Sequence, residues 1–439
     1  MGSMMRAVLL VAGLLSAPLA QAQFLFGRLQ PPAPAIEGNG PSDAPTVSAD
    51  GKVFAFTSSA TNWVPGSITG AKVISVDLGA DNVVNLSTSA AGIAFNGNSF
   101  APSTSRNGRY TAFETQASNL DVGVGTSGFQ IVRKDRQTGA LVLASASAAG
   151  VPASGSASGQ ARNASISGDG RYVVFRSDAG NLVGVNLQGV EEAFVKDLAT
   201  GAIEIASLNA SGQLTGVGIT ALSGQSISDD GRYVAFSSSA GNIVPGVGSG
   251  TIQVYVRDLV ADTTTLASRT PGGGPANSQS DLGAISPNGR FVSFRSFATN
   301  LAGGPFASRV YVHDRATLAI SSVPLPTLNA VVATGCREND VADNGVVVLT
   351  CFFGSGIFDQ VYLHIPGAAG TPFLISSDIN DVAGNQASGT RVAINANGLS
   401  MVFDSRASNL VGNDLNGVSD NFILIDEGIL DGIFADGFE

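Results

Sequence analysis

A nine-residue pattern returns along this chain at a nearly constant interval, and such a repeat limits the possible folds more than any other feature of the sequence. Ser48-Ala49-Asp50-Gly51-Lys52-Val53-Phe54-Ala55-Phe56 recurs as Ser105-Arg106-Asn107-Gly108-Arg109-Tyr110-Thr111-Ala112-Phe113. It returns at Ser167-Gly168-Asp169-Gly170-Arg171-Tyr172, at Ser228-Asp229-Asp230-Gly231-Arg232-Tyr233 and from Ser286 through Gly289 to Phe294. Degraded copies surround Gly345 and Gly398, so seven turn glycines span six periods, and (398 − 51)/6 is about 58 residues.

Each period reads as four strands. The Asp/Asn-Gly pair is a strong hairpin signal, because its turns use positive φ angles that Gly and Asn tolerate. The run after it (Tyr233-Val234-Ala235-Phe236) is β-branched and aromatic with little alternation, as in a strand buried on both faces. A third strand ends in Asp (Val254 to Asp258, Val310 to Asp314), and a Thr/Leu/Ala/Ser run such as Thr264 to Ser268 makes the fourth. Sheets with two apolar faces must be covered on both, and stacking them radially does so. The expected fold is therefore all-β, a β-propeller of seven four-stranded blades. Interior-rich blades also account for a charged content of only 13%, about half the usual share.

The Ser-x-Asp-Gly-Arg-Tyr-Val-Ala-Phe core, the Ala-x-Asn-Leu-Val element and the Val-Tyr-Val-Arg-Asp-Leu strand together resemble the TolB-like β-propeller repeat, over about residues 46 to 426. The resemblance is specific for fold. It says little about function, since such blades serve assembly factors, peptidase gates and carbohydrate-binding proteins alike.

The ends of the chain read differently. Residues 1–22 have the layout of a secretory signal peptide: a basic start at Arg6, an apolar run from Ala7 to Leu15, and Ala20-Gln21-Ala22 before a cut. That run is too short to span a bilayer. Residues 23–45 read as a Pro/Gly-rich leader, 46–427 as the propeller and 428–439 as an acidic, aromatic tail resembling short Gly-Phe-Glu endings of exported bacterial proteins. An exported monomer, periplasmic or extracellular and without a transmembrane segment, is expected. The seventh repeat lacks a clear fourth strand, and either Phe24 to Leu29 or Ile433 to Phe438 is available to supply it.

Repetition also filters candidate sites, because a residue present in every blade serves the blade. Arg109, Arg171, Arg232 and Arg290, the strand-ending acids Asp135, Asp197, Asp258 and Asp314, and the loop residues Asn62, Asn119, Asn181, Asn300 and Asn409 all recur. Both histidines stand in a repeat slot held elsewhere by Lys196 and Arg257, which reads as an exposed strand position rather than a catalytic one. No Gly-x-Ser-x-Gly elbow exists for a serine hydrolase. The net charge of −11 removes any basic face for nucleic acid.

Three features break the repeat. Cys336 and Cys351 flank the hairpin of the sixth blade; for a turn at Asp343-Asn344 they stand opposite each other, and a disulfide is expected in an oxidising compartment. Asp414-Leu415-Asn416-Gly417-Val418-Ser419-Asp420 spaces oxygen side chains as a calcium loop begins, making Asp414, Asn416 and Asp420 candidate ligands, although Ile425 stands where an EF-hand's closing Glu would be. The tail is the third. No catalytic residue or other cofactor is assigned. The leading expectation is a non-enzymatic scaffold that binds a protein or ligand through its loops. The alternatives are a carbohydrate-active lyase or hydrolase with carboxylates at the channel mouth, drawn from Glu191, Glu192, Glu204 and Glu338, or an envelope-associated structural component. A channel mouth lined by acids outside the repeat favours the enzyme.

Overall fold

The computed structural model describes residues 8–11, 24–32, 37–66, 70–120, 128–154, 161–302, 308–354, 356–368, 370–412 and 414–426; the C-terminal tail singled out above lies outside them. Seven antiparallel sheets form the blades of a propeller. In the first, Ser42–Val47, Val53–Ser58, Lys72–Asp77 and Asn82–Asn85 run from the channel to the rim. The fourth blade departs from this plan: its inner position is held by two isolated bridges, Ala221 to Ser237 and Ile227 to Val234, beside a three-stranded sheet. Among the described residues the only helix is the single turn Gly180–Leu182, so none is long and apolar enough to cross a membrane.

The turn after each inner strand shows why the repeat is kept. Ser167 Oγ donates to Asp169 and accepts from Tyr172 N, while Asp169 also accepts from Arg171 N. Only the glycine takes positive φ, 77° at Gly170, and not its Asp/Asn partner as well. Gly170 is needed for a second reason, since a Cβ there would meet the Tyr110 ring of the preceding blade at 2.2 Å. The recurring arginines pair with the strand-ending acids: Arg171 Nη2 to Asp197 is 2.6 Å and Arg232 Nη2 to Asp258 is 2.8 Å. The recurring Asn residues tie two loops together, as when Asn119 donates to Ala94 O and accepts from Asn96 N. All of this is blade architecture, as the repetition implies.

Ring closure falls to the N-terminal segment. Phe24–Leu29 pairs antiparallel with Asp420–Asp426 and becomes the fourth strand of the last blade. The propeller therefore begins within the stretch expected to be a leader and not at residue 46, because Phe26 stacks on Phe422 (5.8 Å) and Leu29 is buried in the first-blade core. Val8–Val11 adds a fifth strand outside it; a chain starting at Gln23 would leave four, as in the other complete blades.

Cys336 and Cys351 are paired in register and joined by a disulfide. The expected opposition holds for a reason the sequence arithmetic missed. Nearer the turn, Val341 faces Val347 and Asn339 faces Leu349, a register one residue out, and a bulge between Cys336 and Asn339 restores it.

His313 is buried, contrary to the exposed position expected for it. Its slot lies beneath the preceding blade's outer loop, where Lys196 of a sister blade donates to Ala146 O and Ser147 O. Burial, and then the charges of Arg269 and Arg315, push the His313 imidazole down to about 4.

Candidate active site at the channel mouth

Two side chains per blade decide what the channel mouth presents: those eight and seven residues before the turn glycine. The eighth-residue set is Asp43, Phe100, Arg162, Ser223, Asp281, Arg337 and Thr390; the seventh is Ala44, Ala101, Asn163, Gly224, Leu282, Glu338 and Arg391. No charge pattern repeats in either set. Here each inner strand bulges, and Ala44, Ala101, Asn163 and Leu282 hold φ near 50° (50°, 48°, 53° and 53°). Left-handed backbone at non-glycine residues is strained and gathers where side chains must be re-aimed.

One sector of the mouth, formed by blades six, seven and one, gathers Glu338, Arg391, Asp404 and Asp43. Asp404 is buried, and its carboxylate accepts from Thr390 Oγ1 at 2.6 Å and from Arg391 N at 2.7 Å, both in its own blade's inner strand. Burial raises its carboxyl above the usual range against those two bonds. Asp43 is exposed to the funnel. Thinned hydration and then the Asp404 charge raise its carboxyl, while Arg391 opposes. Glu338 is raised by burial, opposed first by Arg391. Asp43, Thr390, Asp404 and Arg406 line a cavity of about 340 Å3 at the seam of blades seven and one, and Glu338 and Arg391 line the adjoining channel.

The rest of the mouth is aromatic and paired. Phe100 lies 6.1 Å from Phe129, and the Arg162 guanidinium stacks over Phe129 at 4.3 Å. Glu114 accepts from Asn163 N at 2.8 Å and is raised by burial. Arg295 is bidentate with Asp281, with both bonds at 2.7 Å, while Arg176 pairs with Glu191 and Arg337 with Asp359. At the other end the hole is closed: turns bond to one another around the ring, and Arg106 reaches across to Asp229 and Asp343.

Of the four acids singled out in the sequence, Glu338 alone faces the channel. Glu191 is engaged by Arg176 at the mouth, and Glu204 is exposed on the outer strand Ile203–Ile205. Glu192 is buried and accepts from Ser207 Oγ at 2.5 Å, in the slot where Gln130 and Gln253 accept from Ser145 and Ser268. It is therefore a blade residue. Asp43, Asp404, Arg391 and the Phe100–Phe129 pair were missed; the irregularity of the two slots before each turn was the signal for Asp43, Arg391 and Phe100, whereas Asp404 and Phe129 lie outside those slots. Another acid in the channel, Asp340, is structural: it accepts from Ile394 N of the next blade, as Ser103 accepts from Ile166 N.

Of the candidate calcium ligands, Asp414 and Asp420 come together, joined by Glu37. Asn416 stays beside them as a hydrogen-bond partner of Asp420, and it also donates to Gly38 O at 2.8 Å and accepts from Val418 N.

No family model matches the chain, and no curated protein matches it. Solved structures do. An oligogalacturonate lyase from Vibrio parahaemolyticus is similar over 96% of this chain and 97% of its own, at 13% identity and a TM-score of 0.52. A prolyl endopeptidase matches 83% of this chain and 46% of its own, at 11% identity and a TM-score of 0.50. A TolB protein of Agrobacterium tumefaciens matches 64% of this chain and 79% of its own, at 17% identity and a TM-score of 0.38. The expectation of a non-enzymatic scaffold is corrected here: the solved structure matched over nearly this whole length is itself an enzyme, and the mouth of this chain is lined by acids outside the repeat, which favours the alternative reading. The chain is a seven-bladed β-propeller.

Proposed function

We propose that the channel mouth is the active site of a carbohydrate-active enzyme that hydrolyses glycosidic bonds, with Asp43 and Asp404 as its carboxylate pair. The observation that carries this reading is the collection of Asp43, Asp404, Glu338 and Arg391 in one sector of the mouth. Glycoside hydrolysis needs one carboxyl that keeps its proton and one that is ionised. Asp43, raised by partial desolvation and by the neighbouring charge, is suited to protonate the leaving oxygen. Asp404, holding two donors, is suited to act as the ionised partner. Arg391 sits where it can orient both and balance Glu338. Phe100 and Phe129 supply an apolar face for a sugar ring elsewhere at the mouth.

Hydrolysis is favoured over elimination by the side chains present. An eliminating enzyme needs a base such as Tyr or His beside the sugar. The described tyrosines stand at blade positions, as at Tyr172 and Tyr255, and both histidines stand on third strands of their blades, His313 buried and His364 half-buried. Export to the periplasm or medium, expected from residues 1–22, would bring the enzyme to such polymers and agrees with the disulfide. The test is a panel of neutral and acidic polysaccharides incubated with the mature protein, with new reducing ends counted and ultraviolet absorbance followed. Reducing ends without an absorbing unsaturated end support hydrolysis; an absorbing end, or no cleavage of any polymer, overturns it.

A further inference from the structure

Where the ring closes, a buried cluster carries more negative charge than its partner answers. Arg28, on the closing strand and fully buried, directs Nη1 at three carboxylates: Asp420 at 3.1 Å, Glu37 at 3.4 Å and Asp414 at 3.6 Å. One guanidinium against three carboxylates leaves two negative charges in a place with little water. Such an excess is costly unless protons or a cation neutralise it. Burial raises the Asp414 carboxyl and pushes Asp420 up to about 7, as uncompensated charge should.

A second, independent observation concerns Asp414 itself. It is 7% exposed, and neither of its carboxylate oxygens accepts a hydrogen bond. Ser419 Oγ, one residue before Asp420, is likewise buried without a partner. Orphaned buried oxygens in a native fold ask for a water or an ion. Arg28 approaches one oxygen of each acid, Oε2 of Glu37, Oδ1 of Asp414 and Oδ2 of Asp420. Oxygens from the three acids lie within 4.8 Å of one another, the span that a cation with ligands at about 2.4 Å can bridge.

We infer that Glu37, Asp414 and Asp420 bind one calcium-class divalent cation, with Arg28 beside it. The ligand set differs from the sequence expectation: Glu37, 377 residues before Asp414 by their numbers (414 − 37), takes the place of Asn416. That distance states what the ion does. Glu37 lies between the closing strand Phe24–Leu29 and the first inner strand Ser42–Val47, whereas Asp414 and Asp420 belong to the last blade. One ion therefore fastens the two ends of the ring. It does so beside the proposed catalytic cavity, which Gly417, Val418 and Ser419 help to line, but the inference does not depend on that cavity's chemistry.

The test uses the mature protein, stripped with chelator and titrated with calcium chloride in a calorimeter, with melting followed in calcium and in chelator. Calcium should bind at one site per chain and raise Tm by a few degrees, reversibly. Asp414→Asn should lose that response while melting in chelator no lower than the parent, because an unanswered buried charge has gone. Glu37→Gln, on the less buried segment, should weaken calcium binding at least tenfold and serves if the first variant does not fold. Equal melting in calcium and chelator, absence of calorimetric binding, or an undiminished response in a folded variant overturns the inference.

Discussion

Glu192 shows how a single side chain can pass for a catalytic acid. Its carboxyl is pushed up to about 7 by burial, which in isolation marks a functional site. Its sister slots explain it otherwise: Gln130, Gln253 and Gln360 make the same bond to a serine, so a protonated Glu192 acts as the glutamine the blade wants. Because the folded-state value is raised, its stabilising contribution is complete below about 4.5 and is lost as pH rises through about 7. Glu192→Gln should therefore stabilise the protein at pH 8 by about 1–3 kcal/mol, be nearly neutral at pH 4, and leave glycan cleavage intact. Denaturant melts at the two pH values check this; a loss of stability at pH 8 contradicts it.

Among the elements, the sixth blade is the weakest copy and carries the covalent link. Thr350 replaces the usual Phe and spends its hydroxyl on Gly389 O of the next blade, leaving Phe353 to face Tyr362 at 6.3 Å. The disulfide spans 15 residues, and a loop of that size contributes about 3 kcal/mol in the chain-entropy account. The double variant Cys336→Ser/Cys351→Ser should lose about that much in urea melts, and an unchanged midpoint would contradict a stabilising role. How far such elements were legible depends on whether they repeat. Hairpin turns, third strands and Asn staples are written seven times or nearly so, and local chemistry alone identifies them. The bulges are not legible, because Ala44, Ala101 and Leu282 give no sign of φ > 0. Those bulges aim the functional side chains. Asp43 and Asp404, 361 residues apart in the chain (404 − 43), meet only once the ring is shut.

At the scale of the whole molecule, closure by Phe24–Leu29 makes the first and last blades interdependent. The strand supplies Phe26 to the last blade's core, Leu29 to the first, and Arg28 to the carboxylates between them. Removing residues 24–29 should expose the edge of Asp420–Asp426 and lower Tm by at least 5 °C, a shift of the size expected when a whole core strand is lost; an unchanged melt would assign closure elsewhere. The same closure builds the seam cavity, so the proposed activity belongs to the assembled ring and not to any one blade.

The central claim is that Asp43 and Asp404 act as a pair across that seam. It is tested most directly by kcat/KM for the polysaccharide the enzyme cleaves, measured across pH in the parent and in Asp43→Asn and Asp404→Asn. Both carboxyls are raised, so the parent profile should be bell-shaped, with its limbs displaced above the ordinary aspartate range. Each variant should retain its melting temperature and lose activity by about 10²–10⁴-fold, with one limb abolished. Variants that cleave as fast as the parent, with an unaltered pH profile, would contradict the account.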